Sequence, residues 1–168
     1  MNILALDLAT RTGWALIEHG RRESGVQVFD VKRGESPGMR YLRFRRWLEE
    51  IGPRADLIVY EQTVRSPGRM AIEIADGFAT RVQEYCAAQG EAGRVVDHQG
   101  VYPATLKKWT TGKGNAKKPD MLAAAFQLGF VSHAAATWDD NEIDAICLRE
   151  HALAEIVPTT AASERRAR

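Results

Sequence analysis

Cysteine is scarce: the 168 residues contain two, Cys86 and Cys147. Two cannot build a disulfide framework and match no zinc-ligand spacing, which points to a reducing compartment. No apolar run approaches the ~20 residues that a membrane-spanning helix needs. The start, Met1-Asn2-Ile3-Leu4-Ala5-Leu6-Asp7, lacks both the basic end and the apolar stretch of a signal peptide. The expectation is a cytoplasmic protein that makes no membrane contact. Excess charge of either sign is also missing, with 23 basic and 22 acidic side chains giving a formal +1. What remains is ordinary for a globular domain: 45% hydrophobic and 27% charged residues. At this length roughly 70% of the unfolded surface can be buried, enough for one full core.

The near-zero total hides a segregated distribution. Between Pro103 and Pro119 stand Lys107, Lys108, Lys113, Lys117 and Lys118 without a single acid. Arg40, Arg43, Arg45 and Arg46 form a second basic group, read as a solvated helix face, and Arg165, Arg166 and Arg168 a third. Opposed to them is the cluster Asp139, Asp140, Glu142 and Asp144. Local fields of this kind attract a polyanion even when the sum cancels.

Hydrophobic period and turn residues order the elements. Strands are expected at Asn2–Ala9, Gly13–Glu18 and about Gly25–Val31, the first two joined by the turn at Thr10–Thr12. A helix follows from Ser36-Pro37 to the stop at Gly52-Pro53, then a strand at Asp56–Glu61. A long helix spans about Arg69–Gln89, and a fifth strand is expected at Arg94–Asp97. Helices near Pro103–Thr110, Lys117–Leu128 and Asp139–Ile156 complete the domain, residues 1–157. The tail 158–168 is expected to be flexible and basic. Three meandering strands and two crossover units give a mixed five-stranded sheet with helices on both faces.

Four carboxylates stand out. Asp7 occupies an apolar strand, where an unpaired charge is costly. Glu61 ends the fourth strand in the same manner, and that strand packs beside the first in such a sheet. Asp140 and Asp144 are spaced i,i+4, on one face of the last helix. Helix-capping explains some of the acids there, with Asp139 and Glu142 as a capping box, but not Asp144 on the apolar side. Oxygen ligands without cysteine or clustered histidine suit Mg²⁺ or Mn²⁺. Two such ions ~4 Å apart support in-line phosphodiester hydrolysis. Two other motifs fail on inspection. Asp7–Gly13 is similar to the first phosphate loop of actin-like sugar kinases, which need two domains and a longer chain. Gly112-Lys113 lacks the P-loop glycine five residues earlier, where Lys107 stands, and is followed by Gly114 rather than Ser or Thr.

Taken in order, Ala5–Thr10, Glu61-Gln62, Gly112–Lys118 and Asp140–Ala145 resemble the motifs of RuvC-type Holliday junction resolvases, over about residues 3–150. The Asp-Asn-Glu-x-Asp-Ala form is closer to the phage and prophage branch. The resemblance implies an RNase H-like fold and a Mg²⁺-dependent homodimer that nicks four-way DNA junctions in pairs. It assigns Asp7, Glu61 and Asp144 to metal binding; many relatives hold the fourth ligand at the position of Asn141, but Asp140, one residue earlier on the same face, carries the charge and is taken as the fourth ligand with Asn141 as its alternate. Lys118 becomes the active-site lysine and Lys107 a DNA contact, with Lys108, Lys113, Lys117 and Arg69 as further DNA contacts. The stretch Gln62–Gly77 carries no aromatic residue to open the junction; Arg69 or Met70 stands in its place. Two other readings remain open: a broader debranching nuclease, and a catalytically silent junction-binding module.

Overall fold

The structure is a computed structural model, and it describes residues 1–63, 68–132 and 137–157. The expected tail, 158–168, lies outside the described residues. Five strands form one sheet in the order β3-β2-β1-β4-β5: β1 (Ile3–Asp7), β2 (Arg11–Glu18), β3 (Arg21–Val28), β4 (Leu57–Glu61) and β5 (Asp97–Val101). The first three are antiparallel, and β4 and β5 join β1 in parallel. The helices are α1 (Met39–Ile51), α2 (Arg69–Glu91), α3 (Pro103–Thr111), α4 (Lys118–Gln127) and α5 (Asp140–His151), the last continuing through a π-helical turn at Ala152–Ile156. This is the mixed sheet expected from the sequence, covered on both sides.

β2 turns into β3 through His19-Gly20, both at positive φ (50° and 85°). That is the mirror-image turn whose twist suits a two-residue hairpin. It moves β3 back to Arg21–Val28 from the expected Gly25–Val31.

Side chains alternate between two cores. Leu4, Leu6, Leu16, Ile58 and Tyr60 face α1 and α2, where Phe44 and Phe78 stack at 4.4 Å and Phe29 meets both edge-on. Ile3, Ala5, Ala15, Leu57 and Val59 face the other way, onto Ile143, Ile146 and Cys147 of α5, Leu106 of α3 and Met121 of α4. Both cysteines are free and buried.

A second boundary is corrected. The fifth strand is Asp97–Val101 rather than Arg94–Asp97. Arg94 is instead tied to the carbonyls of Pro53 and Ala55 at 2.7 and 2.8 Å, closing the loop before the strand. The strand proper, Asp-His-Gln-Gly-Val, sits at the sheet's edge and lacks the apolar pattern that would reveal it. On the other side of the sheet, Ile74, Ala75, Phe78, Val82, Tyr85 and Cys86 of α2 are all buried in the first core.

Candidate active site

Asp7 and Glu61 are brought together by strand register. Leu6 lies opposite Tyr60 in the parallel pair, so the acids one residue further on leave the sheet at the same edge. Both continue the odd-numbered rows Ile3-Ala5 and Leu57-Val59, so both belong to the side covered by α5.

α5 supplies the third acid, and Gly13 fixes where. Gly13 pairs with Asp7 across β1–β2. A Cβ at this position would stand 1.8 Å from the Asn141 carbonyl oxygen, so the first turn of α5 lies directly on the glycine backbone. Two side-chain links hold that turn. Arg11 donates to Asp139 at 2.7 Å, and the Ser24 hydroxyl donates to Glu142 at 2.7 Å. Asp139 caps the helix by accepting the Asn141 N–H at 2.9 Å. The expected capping box is therefore only half present, because the Glu142 carboxylate is turned to Ser24 on β3. Gly13, Arg11 and Ser24 were not marked as site residues by the sequence; the only hint was a glycine in a strand, which often means close backbone approach.

Asp144, one turn into α5, completes a group of three partly buried acids. Burial raises the Asp7 carboxyl well above its ordinary range, and the charges of Glu61 and Asp144 add to this. Glu61 is pushed up to about 7, first by burial and then by Asp144. Asp144 is raised to about 6 by burial, against the pull of Lys107 and Lys118. Each acid thus disfavours its neighbours' charge.

The two lysines come from the acid-free stretch. Lys107, on α3, acts on both Glu61 and Asp144, so it stands at the acids as Lys118 does. Lys118 opens α4 and donates to Asp140 at 3.0 Å, an exposed pair that raises the Lys118 ammonium. Asp140 is therefore engaged by the lysine rather than turned into the buried group. Lys108, Lys113 and Lys117 are exposed on the same helix–loop–helix, whose turn is set by Gly112 at φ 77°. Arg69 is separate from them, pairing with Glu73 along α2 at 2.8 Å.

The donor chemistry fits a hard divalent cation: oxygen-only, partly buried and mutually repelling. Among the described residues, however, no three His, Cys, Asp or Glu side chains are gathered tightly enough to hold an ion as they stand. No described helix is long and apolar enough to cross a membrane.

No protein-family model matches the sequence, and no curated protein matches it significantly. Solved structures do. Thermus thermophilus RuvC in complex with Holliday junction substrate superposes with a TM-score of 0.65 at 18% identity, covering 88% of this chain and 90% of that one. Another T. thermophilus RuvC structure gives 0.59 at 20% identity with the same coverage. The yeast mitochondrial Holliday junction resolvase gives 0.59 at 10% identity, covering 87% of this chain and 76% of that one. The chain has the RNase H-like fold of these proteins.

Proposed function

We propose that this chain is a metal-dependent endonuclease that resolves four-way junctions or related branched DNA by paired, symmetric nicking. The observation that carries the reading is the convergence of Asp7, Glu61 and Asp144 on one sheet edge beside Lys107 and Lys118. It occurs in a fold shared with resolvases, one of them solved on a junction. Asp7, Glu61 and Asp144 would hold two Mg²⁺ ions, with Mn²⁺ as a substitute. Asp140 would be the fourth carboxylate and Asn141 its alternate. A bound ion pair supplies an activated water and stabilises the leaving oxygen.

The chain's own residues do the rest. Lys118 and Lys107 offset the charge that builds on the scissile phosphate. Lys108, Lys113 and Lys117 grip flanking phosphates without reading bases, and Arg69 would do the same from α2. A four-way junction has two-fold symmetry, so paired cuts call for a homodimer. With the apolar face of α2 used internally, that expectation rests on the substrate's symmetry.

One observation favours a second reading, a junction-binding module without catalysis: the acids are not drawn together around one point in this structure. A single assay separates the two. A synthetic four-way junction and a linear duplex are incubated with the protein in Mg²⁺ or in EDTA. The nuclease reading expects junction cleavage in Mg²⁺ alone, with the duplex intact. Binding without any Mg²⁺-dependent cut would leave the module.

A further inference from the structure

The edge that carries Glu61 has a second side. Past Tyr60 the even-numbered row of β4 continues into Gln62, on the side of α2. There a pocket of about 290 Å³ opens, lined by Tyr60, Glu61, Gln62, Asp76, Gln83 and Tyr102, among others. Its volume falls near the lower end of small-ligand pockets, ~300 Å³. Three features define what it can take.

The first is Tyr102, at the start of α3. It directly follows Val101, the β5 residue opposite Glu61, and its side chain is 58% exposed. An aromatic ring left in water beside a cleft is a stacking platform without its partner. The second is the polar lining. The Gln83 amide donates to the Tyr60 hydroxyl at 3.0 Å, which fixes two groups of the wall. The Gln62 side chain packs over Gly100, where a Cβ would come within 2.5 Å of it. Side-chain amides held in this way suit the hydrogen-bonding edge of a base. The third is charge: among the described residues the charged side chains of the lining are Glu61 and Asp76, both acids, with Lys107 acting on Glu61 from α3. Two acids in the lining favour a neutral group with N–H donors over a phosphate.

We infer that this pocket receives one unpaired nucleobase of the strand being cut, stacked on Tyr102 and contacted by Gln62, Gln83 and Asp76. The inference rests on the reading of the chain as a nuclease for branched DNA. The backbone of that strand then runs along the lysine side while one base turns away from it, into the acidic side. Bases at a junction's crossover are the cheapest to extrude, because the helical stack on one side of them is already interrupted there.

Photocrosslinking tests this without requiring cleavage. Four-way junctions carrying 5-iododeoxycytidine at successive positions around the crossover are bound in EDTA, irradiated, and the adducts mapped by peptide sequencing. The expected result is an adduct on Tyr102 from one position, retained in Tyr102→Phe and lost in Tyr102→Ala. In Mg²⁺, Tyr102→Ala should slow single-turnover cleavage roughly tenfold, with Tyr102→Phe near wild type. Absence of a Tyr102 adduct from every position overturns the inference. So does a Tyr102→Ala variant that cleaves bound junction at the wild-type rate. Cleavage by the wild type is scored separately. A protein that forms the adduct but never cuts keeps the pocket and loses the nuclease reading, and one that cuts without it loses only the pocket.

Discussion

Replacing Gly13 by alanine would put a methyl carbon 1.8 Å from the Asn141 carbonyl oxygen, 2.2 Å from its carbon and 2.8 Å from the Glu142 nitrogen. All three atoms are helix backbone, so no side-chain rotation can relieve the clash. Ordinary contact begins at 3.4 Å, so the first turn of α5 must retreat by about 1.6 Å. Overpacking of this kind costs about 1–3 kcal/mol, which for a chain of this size lowers Tm by about 2–10 °C. The larger effect falls on the site. Asp144 rides on the displaced helix, while Asp7 and Glu61 stay with the sheet. A misplacement of ~1 Å can cost about 10²-fold in rate. The assay is single-turnover cleavage at saturating protein, with junction affinity measured in EDTA and Tm with and without Mg²⁺. We expect near-normal affinity, a loss of about two orders of magnitude in rate and a reduced Mg²⁺-induced rise in Tm. A Gly13→Ala protein with wild-type rate and Tm would refute the seating of α5 on this glycine.

Asp7→Asn should abolish cleavage while leaving junction binding nearly intact, and normal nicking by this variant would remove Asp7 from the metal set. The raised acids also predict a pH dependence for the metal-free protein. Glu61 is raised above its ordinary value of 4.5 to about 7, so the folded state holds the proton more tightly than the unfolded one. Its contribution is complete below about pH 4.5 and is lost as pH climbs through about 7. Glu61→Gln should therefore be more stable than wild type at pH 8 in EDTA, by at most about 3 kcal/mol, and Mg²⁺ should narrow the gap; denaturant titration at pH 5 and pH 8 reads both. Lys118→Ala should slow cleavage of already-bound junction with little loss of affinity. Lys107→Ala, facing Glu61 and Asp144, should lower the rate and also flatten the salt dependence of binding by about one counterion; binding-only defects in both variants would show an interchangeable patch. Asp140→Asn and Asn141→Ala distinguish the fourth ligand, since only the true ligand's loss should weaken Mg²⁺ binding measured by calorimetry.

Much of the fold was legible because its signals are local. The apolar runs of β1 and β4, the Gly52-Pro53 stop and the spacing of α1 and α2 each depend on a few neighbouring residues. β5 was misplaced because an edge strand of mostly polar residues leaves no periodic trace, while the apolar pair Val95-Val96 just before it does. At the site, Asp7 and Glu61 were readable as charges where apolar residues belong, and Asp144 as an acid past the helix's first turn. The seat provided by Gly13 was not, since a close approach between residues 128 positions apart has no sequence signature beyond the glycine itself. Nor was the proximity of Lys107 to the acids, which depends on how α3 packs rather than on its composition.

The alternation of the sheet has a consequence for folding fidelity. Odd-numbered residues of β1 and β4 face α5 and even-numbered ones face the aromatic core, so a slip of one residue in either strand exchanges the two sets. Asp7 or Glu61 would then be driven toward Phe29, Phe44 and Phe78, where a carboxylate has no partner and must take up a proton or unfold its surroundings. The acids thus penalise a one-residue slip more heavily than a valine would. Changing Asp7 or Glu61 to an apolar residue therefore alters more than chemistry: it removes one energetic distinction between the native register and a one-residue slip.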